Sequence, residues 1–127
     1  MDYSKLSDFE INATIHFGHM PCFKVSANYC SFETLIGEMR GFGNYYYKQN
    51  FPDYCNNPAD AWLIIVERKI NIEWHECKNS EWKPYALNNA STKSCYDNNP
   101  LRAAMIVFLM MQDSANVQAN STGSYIR

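Results

Sequence analysis

The chain has 127 residues, the size of a single domain, and a net charge of −2. Hydrophobic residues make up 46% and charged residues 19%, a balance that excludes a wholly disordered protein. No block of basic residues is present, so the composition disfavours a nucleic-acid partner, which would be held through its phosphates. The five cysteines are odd in number and include no Cys-x-x-Cys pair. We therefore expect neither a disulfide framework nor a structural metal site.

We expect neither a targeting segment nor a membrane segment in this sequence. The opening "MDYSKLSDFE" lacks the apolar region of a secretory signal. The longest apolar run, 103–111, is far shorter than the roughly 20 residues that span a bilayer. We expect a cytoplasmic protein with free thiols and no membrane partner.

The first helix is predicted over about 8–16. Ser7 followed by Glu10 forms a capping box, in which each side chain accepts a hydrogen bond from the other residue's backbone N–H. Gly18 and Pro21 are typical of a helix end.

The next segment gives weaker patterns. Alternation of apolar and polar residues predicts a strand near 23–26. The stretch 31–43 predicts one or two helical turns interrupted by glycines, and the aromatic stretch 44–54 predicts a loop.

Two further helices are predicted after a repeated phrase, Asn-Asn-Pro. Asn57-Pro58 precedes a helix at about 58–68, and Asn99-Pro100 precedes one at about 100–113. Asparagine is a strong N-cap, and proline is favoured at the first helical position because its missing N–H costs nothing there. The repetition therefore reflects helix capping rather than gene duplication.

An antiparallel hairpin is predicted between these two helices. Alternation in "KINIEWHE" indicates a half-buried strand at 70–76, and a second strand can return at 81–87. Pro84 predicts that the second strand lies at an edge of the sheet. The segment 88–99 is predicted to be a polar loop.

These elements predict an α+β fold, with about three helices packed on a small antiparallel sheet or hairpin. We expect one domain over 1–113 and a polar, flexible tail over 114–127. The last helix is apolar on nearly all sides, so we expect it to be central and covered by the other elements. Alternatively, a face with Met105, Met110 and Met111 binds a partner or a second copy, since methionine adapts to varied surfaces.

Arg102 is a cation in the first turn of a helix, where the dipole favours anions. One interpretation is an ion pair with Asp60, Asp97 or Glu67.

The other interpretation is an anion or small-ligand site. Arg102 would then form a pocket with Asn57, Asp60 and Trp62, helped by the amides of the helix N-terminus. A titration with anions that shifts none of these residues would count against this site.

No cofactor motif, glycine-rich phosphate loop or nucleophile motif is present, and we predict neither a cofactor nor a catalytic residue. Enzymatic activity is left open, and the sequence favours a protein that is not an enzyme. A third interpretation is binding of single-stranded nucleic acid, in which aromatic side chains stack on bases next to a cation. The residues would be Tyr45, Tyr46, Tyr47 and Lys48. The acidic total makes that interpretation the weakest.

Three segments resemble the NinX-like family of small lambdoid phage and prophage proteins, encoded in the nin region. They are 2–12 ("DYSKLSDFEIN"), 54–73, which includes "NNPADAWLIIVERKINI", and 98–113, which includes "NPLRAAMIVFLMMQ". The resemblance implies expression in an infected bacterial cytoplasm and carries over no catalytic residue. We expect a binding protein that acts on a host or phage protein, for example one of a defence system. Homo-oligomerisation is left open.

Overall fold

The computed structural model describes residues 2–18, 27–28, 31–39 and 43–123, and the side chains of 2–18 and 50–115. The chain divides into two compact units. The first unit is Leu6–Asp53, and the main unit combines Met1–Lys5 with Tyr54–Arg127. The prediction of one domain over 1–113 stays a prediction.

The first unit contains one helix and a three-stranded antiparallel sheet in the order β1-β2-β3. Its elements are α1 (Asp8–Phe17), β1 (Ala27–Asn28), β2 (Ser31–Met39) and β3 (Gly43–Asn50). The predicted capping box is confirmed, because Ser7 Oγ accepts from the Glu10 N–H at 3.1 Å and Glu10 Oε1 accepts from the Ser7 N–H at 3.0 Å. Gly18 ends α1 at φ 80°, a left-handed conformation that favours glycine.

Two predictions in this unit are wrong. The segment predicted as helical turns forms β2, and most of the segment predicted as an aromatic loop forms β3. The two strands pair antiparallel, from Ser31 opposite Asn50 to Met39 opposite Gly43. Each strand thus supplies hydrogen-bond partners for the backbone of the other. Gly37 lies at a register shift in β2, where glycine marks a bulge rather than a helix end. The strand predicted near 23–26 lies outside the described residues.

The main unit contains two α-helices and a second three-stranded antiparallel sheet, in the order β4-β5-β6. Its regular elements are α2 (Pro58–Glu67), β4 (Asn71–Glu76), β5 (Trp82–Asn88), β6 (Lys93–Tyr96) and α3 (Pro100–Gly123). Two single-turn 3-10 helices, Tyr3–Lys5 and Lys78–Ser80, complete it.

Both Asn-Asn-Pro phrases cap helices, as predicted. Asn57 Oδ1 accepts from the Ala59 N–H at 3.0 Å, and Asn99 Oδ1 accepts from the Leu101 N–H at 3.0 Å. The amide of Asn99 also donates to the carbonyl oxygen of Cys55 at 2.7 Å. The second phrase therefore ties the start of α3 to the turn before α2.

The predicted hairpin is confirmed, but the polar loop after it is not. Residues 93–96 form β6, which pairs with the second half of β5. β5 is therefore the central strand, and the prediction from Pro84 that it lies at an edge is wrong. The β5–β6 ladder begins at Tyr85–Tyr96, one residue after Pro84. The missing proline N–H thus falls just outside the ladder and removes no paired bond.

α3 is the centre of the main unit, as its apolar sequence predicts. Residues 103–109 are all buried, and α3 packs against β5, β6, α2 and the N-terminal 3-10 helix. The hydroxyl of Tyr3 in that 3-10 helix donates to the carboxylate of Asp113. The helix continues to Gly123, so its predicted end at 113 is ten residues too early. The polar sequence beyond 113 contains no proline, and polarity alone does not end a helix.

The helices combine with two sheets whose neighbouring strands are all antiparallel, so the protein is α+β, as predicted. Across the described ranges, no helix combines the length and apolarity that a membrane crossing requires. The predicted flexibility of the segment after 113 stays a prediction.

Candidate functional site

Arg102 forms an ion pair inside the main unit. Its Nε donates to Asp97 Oδ2 at 3.1 Å, and its Nη2 donates to the carbonyl oxygen of Ser4 at 3.1 Å. The two side chains are only 13% and 18% exposed. Asp97 is one of the three acids predicted as a partner, and its charge compensates a cation at the start of α3.

The four residues predicted as an anion site do not share one described cavity. Asn57 caps α2, and Asp60 occupies the third position of that helix. Trp62 is among the described residues lining a surface groove, whereas Asn57, Asp60 and Arg102 are not. Ligand binding at these four residues stays a prediction.

The groove lies between the end of α2, the start of β4 and the turn from β5 to β6. It has a volume of about 570 Å³ and is open on one side. Its floor and walls are mainly apolar: Trp62, Ile65, Val66, Ile70 and Ile72. A volume in this range suits a small ligand or a few side chains of a partner.

One buried amide holds the polar end of the groove together. Asn88, 5% exposed, donates from Nδ2 to the carbonyl oxygens of Arg68 at 2.8 Å and Lys69 at 3.2 Å. Its Oδ1 accepts from the Ser91 N–H at 2.8 Å. Asn88 thus satisfies two carbonyls at the end of α2 and fixes that end against the β5–β6 turn.

Lys69 supplies the charge of the groove. Of the ten described lining residues, it alone is charged, and the other polar ones are Asn71, Asn88 and Asn89. Its Nζ donates to the carbonyl oxygen of Val66 at 3.1 Å. Its backbone has φ 54°, in the left-handed region that glycine and asparagine favour.

The three tryptophans of the chain are all more than half exposed: Trp62 by 61%, Trp74 by 55% and Trp82 by 59%. Together with Val66 and Ile72 they form what we call the tryptophan surface. Val66 is also exposed, and Ile72 is half-buried.

The register of the sheet places Ile72, Trp74 and Trp82 of the tryptophan surface on one face. Ile72 pairs with Ala86, and Trp74 pairs with Pro84, so both lie on the face of the sheet that α3 covers at β5. Trp82 is two residues before Pro84 and therefore points to the same face, diagonal to Trp74. Ile72 continues this face into the groove, where Trp62 and Val66 line the opposite wall.

The methionines predicted as a partner surface separate. Met105 is fully buried, which places it in the core of the main unit. Met110 and Met111 are partly exposed on α3. Partner binding through these two residues stays a prediction.

The opposite face of the sheet carries a hydrogen-bonded cluster around His75. The Nδ1 of His75 lies 2.6 Å from the Tyr96 hydroxyl, and its Nε2 lies 3.0 Å from Glu73 Oε1. Tyr85 packs against both rings. Because both of its ring nitrogens have hydrogen-bond partners, His75 links the Tyr96 hydroxyl to the Glu73 carboxylate.

Side chains that can ligate metals are present in the main unit but are scattered. Among the residues that the structure describes, no three His, Cys, Asp or Glu side chains are close enough to hold a metal ion. The candidate stacking residues, Tyr45, Tyr46, Tyr47 and Lys48, belong to β3, and their side chains lie outside the described ones.

Sequence reasoning missed Lys69, Asn88, Trp74 and Trp82 as site residues. The alternation in β4 predicts Trp74 on a buried face, and the structure places it on that face beyond the cover of α3. One available signal was that all three tryptophans fall within 62–82, close to the chain's helix–hairpin junction.

Comparison with known proteins identifies a family. A family model described as "Bacteriophage P22, NinX" matches residues 2–112, and the chain belongs to this family. No curated protein and no solved structure matches the chain.

Proposed function

We propose that this phage protein works in the cytoplasm of the infected bacterium by binding a host or phage protein through the tryptophan surface. A protein of a host defence system is one candidate. The observation that supports the proposal is the exposure of all three tryptophans, each by more than half. The proposal includes no chemical reaction and no cofactor.

Exposed tryptophan is a specific feature of interfaces. A tryptophan side chain buries about 150–250 Å² when it is covered, and it is enriched among the residues that dominate binding energy. Three side chains exposed by 55–61% present roughly 250–450 Å² of largely apolar surface. A patch of this size on a monomer is often functional, and it suits the centre of an interface of about 800 Å² per partner.

The position of the patch also favours binding. Trp74 and Trp82 lie on paired strands, and Trp62 lies on a capped helix. Such anchors lose little conformational freedom when a partner covers them. The groove beside them offers a recess for a partner side chain.

A second candidate is a small-ligand binder, and the groove favours it. Its volume of about 570 Å³ lies within the range of ligand sites, and polar groups of Lys69 and Asn71 border an apolar interior. The two candidates differ in footprint, since a small ligand would leave Trp74 and Trp82 uncovered.

The experiment is affinity capture of the tagged protein from infected cells, read by quantitative mass spectrometry. The test variants are Trp74→Ser and Trp82→Ser, each on the tryptophan surface. The matched control is Tyr96→Ser, which removes an exposed aromatic residue from the opposite face of the same sheet.

We expect one stoichiometric partner that Tyr96→Ser retains and both tryptophan variants lose. The folded state of each variant is checked by its thermal unfolding. Equal capture by all variants would contradict the tryptophan surface as the interface, and capture of no partner would contradict the proposed function. A second copy of the same chain as the captured partner would replace a host or phage protein with self-association.

A further inference from the structure

We propose that the groove binds a peptide segment of the partner in which an acidic residue lies beside a bulky apolar residue. This inference rests on the proposed function and specifies what that surface recognises. Trp62 and Ile72 would contact the apolar side chain, and Lys69 would pair with the carboxylate.

The charge of the groove selects an acidic segment. Lys69 is its one charged residue among the ten described lining residues, and none of them is acidic. A lysine ammonium has three donors, and the structure assigns one of them to the Val66 carbonyl oxygen at 3.1 Å. The remaining donors are available to a carboxylate, whose charge complements that of the groove.

The backbone at Lys69 determines where this cation lies. Residue 69 follows the last turn of α2 and has φ 54°. Glycine is the usual residue at such a position, because a side chain strains the left-handed conformation. Lys69 occupies the left-handed position that commonly ends a helix, where the Ile70 N–H donates to the Ile65 carbonyl oxygen at 3.0 Å, and it thereby places a cation at the rim of the groove.

The turn that carries Lys69 is held in a fixed position. Asn88 donates to the Lys69 carbonyl oxygen at 3.2 Å and to that of Arg68 at 2.8 Å. A charge on a fixed backbone binds its partner with less loss of freedom than a charge on a mobile loop. The groove is therefore prepared for its ligand before binding.

The shape of the surface favours a peptide over a free carboxylate. The groove is open on one side, and its wall at Ile72 continues along β4 to Trp74. A small molecule would fill the groove alone, whereas a peptide with one side chain in the groove can continue across Trp74 and Trp82.

The test is selection of a displayed library of random twelve-residue peptides on the immobilised full-length protein. Selected peptides are synthesised with and without amide replacement of their acidic residues, and calorimetry measures their affinities. Three proteins are compared: the unaltered chain, Lys69→Gly and Lys69→Glu. Octanoate is titrated as the probe for a free carboxylate.

We expect enriched peptides to carry Asp or Glu within two residues of Trp, Phe or Leu. Amide replacement should weaken binding about fivefold, the upper effect of one exposed ion pair. Lys69→Gly should lose this preference while unfolding at the same or a higher temperature, because glycine accepts a positive φ without strain. Lys69→Glu should reverse the preference toward basic peptides.

Three outcomes would overturn the inference: no enrichment, enrichment without acidic residues, or an acidic preference that survives in Lys69→Gly. Octanoate binding as tightly as the peptides would assign the groove to a small carboxylate instead. The two proposals fail separately. A captured partner that requires Trp74 but shows no dependence on Lys69 would leave the proposed function standing without this inference. Selected peptides that depend on Lys69, together with capture of no partner, would support the specificity of the groove and contradict the proposed function.

Discussion

Replacing Asn88 with alanine removes the side chain that joins the end of α2 to the β5–β6 turn. The substitution deletes two hydrogen bonds to the carbonyl oxygens of Arg68 and Lys69 and one from the Ser91 N–H. All three backbone groups remain, and Asn88 itself is only 5% exposed. The substitution therefore removes three hydrogen bonds and also leaves three backbone groups without their partner.

The magnitude follows from these three bonds. Each contributes about 1 kcal/mol net, and a buried group left without a partner costs about 1–3 kcal/mol. Because the groove admits water to part of this site, we expect a loss of about 2–4 kcal/mol in the free energy of unfolding. For a chain of this length, that corresponds to a fall in Tm on the order of 10 °C.

Urea denaturation at pH 7, followed by circular dichroism, measures the effect. Asn88→Asp is the sharper variant, since it retains an acceptor for the Ser91 N–H but places a carboxylate oxygen against two carbonyls. Asn89→Ala, an exposed neighbour, is the control and should stay within about 0.5 kcal/mol of the unaltered chain. An Asn88→Ala variant as stable as that control would refute the role assigned to this amide.

Three other predictions concern the main unit. Burial and the hydrogen bond to the Asp113 carboxylate raise the pKa of Tyr3 above its usual range. Above about pH 10 this tyrosine ionises in the unfolded chain but not in the folded one, so the free energy of unfolding should fall as pH rises. Tyr3→Phe should lack this part of the fall in alkaline denaturation; an unchanged profile would count against it. Arg102→Leu should cost about 1.5–3 kcal/mol in urea denaturation, because it leaves the part-buried carboxylate of Asp97 without its charged donor, and full stability would disprove that pairing. Cys77 is exposed, whereas burial and the nearby Asp97 raise the pKa of the Cys95 thiol. Maleimide at pH 7 should label Cys77 before Cys95, as located by peptide mass spectrometry, and the opposite order would contradict the structure.

The helix starts could be predicted because their causes lie within three residues of chain. Ser7 bonds Glu10, Asn57 bonds Ala59 and Asn99 bonds Leu101, each through a side chain and a nearby N–H. These contacts form in any context that allows a helix to begin. The apolar run of α3 predicts its central position in the same direct way.

The sheets were harder because strands depend on partners distant in sequence. β2 and β3 are strands through pairing with each other, and β6 is a strand through pairing with β5. From the sequence alone, glycine suggests a helix end and proline suggests an edge strand. Once the strand pairing is known, both residues have a different meaning. Gly37 marks a bulge, and Pro84 lies one residue outside the β5–β6 ladder.

The candidate site could be predicted only in part. Asp97 was among the acids proposed for Arg102, whereas Trp62 was assigned to a different pocket, with Asn57, Asp60 and Arg102. The positive φ of Lys69 and the three bonds of Asn88 arise where α2 meets the β5–β6 turn, and no local pattern reports them. Exposure of Trp74 depends on how far α3 extends across the sheet, which is a property of packing.

The tryptophan surface is uncovered in the free protein. Tryptophan fluorescence tests it directly, by the emission maximum and by acrylamide quenching of the purified chain over a range of concentrations. With all three side chains 55–61% exposed, we predict red-shifted emission that acrylamide quenches readily at every concentration. Blue-shifted emission that acrylamide barely quenches, even in the most dilute sample, would show that the tryptophans are buried and would contradict the account.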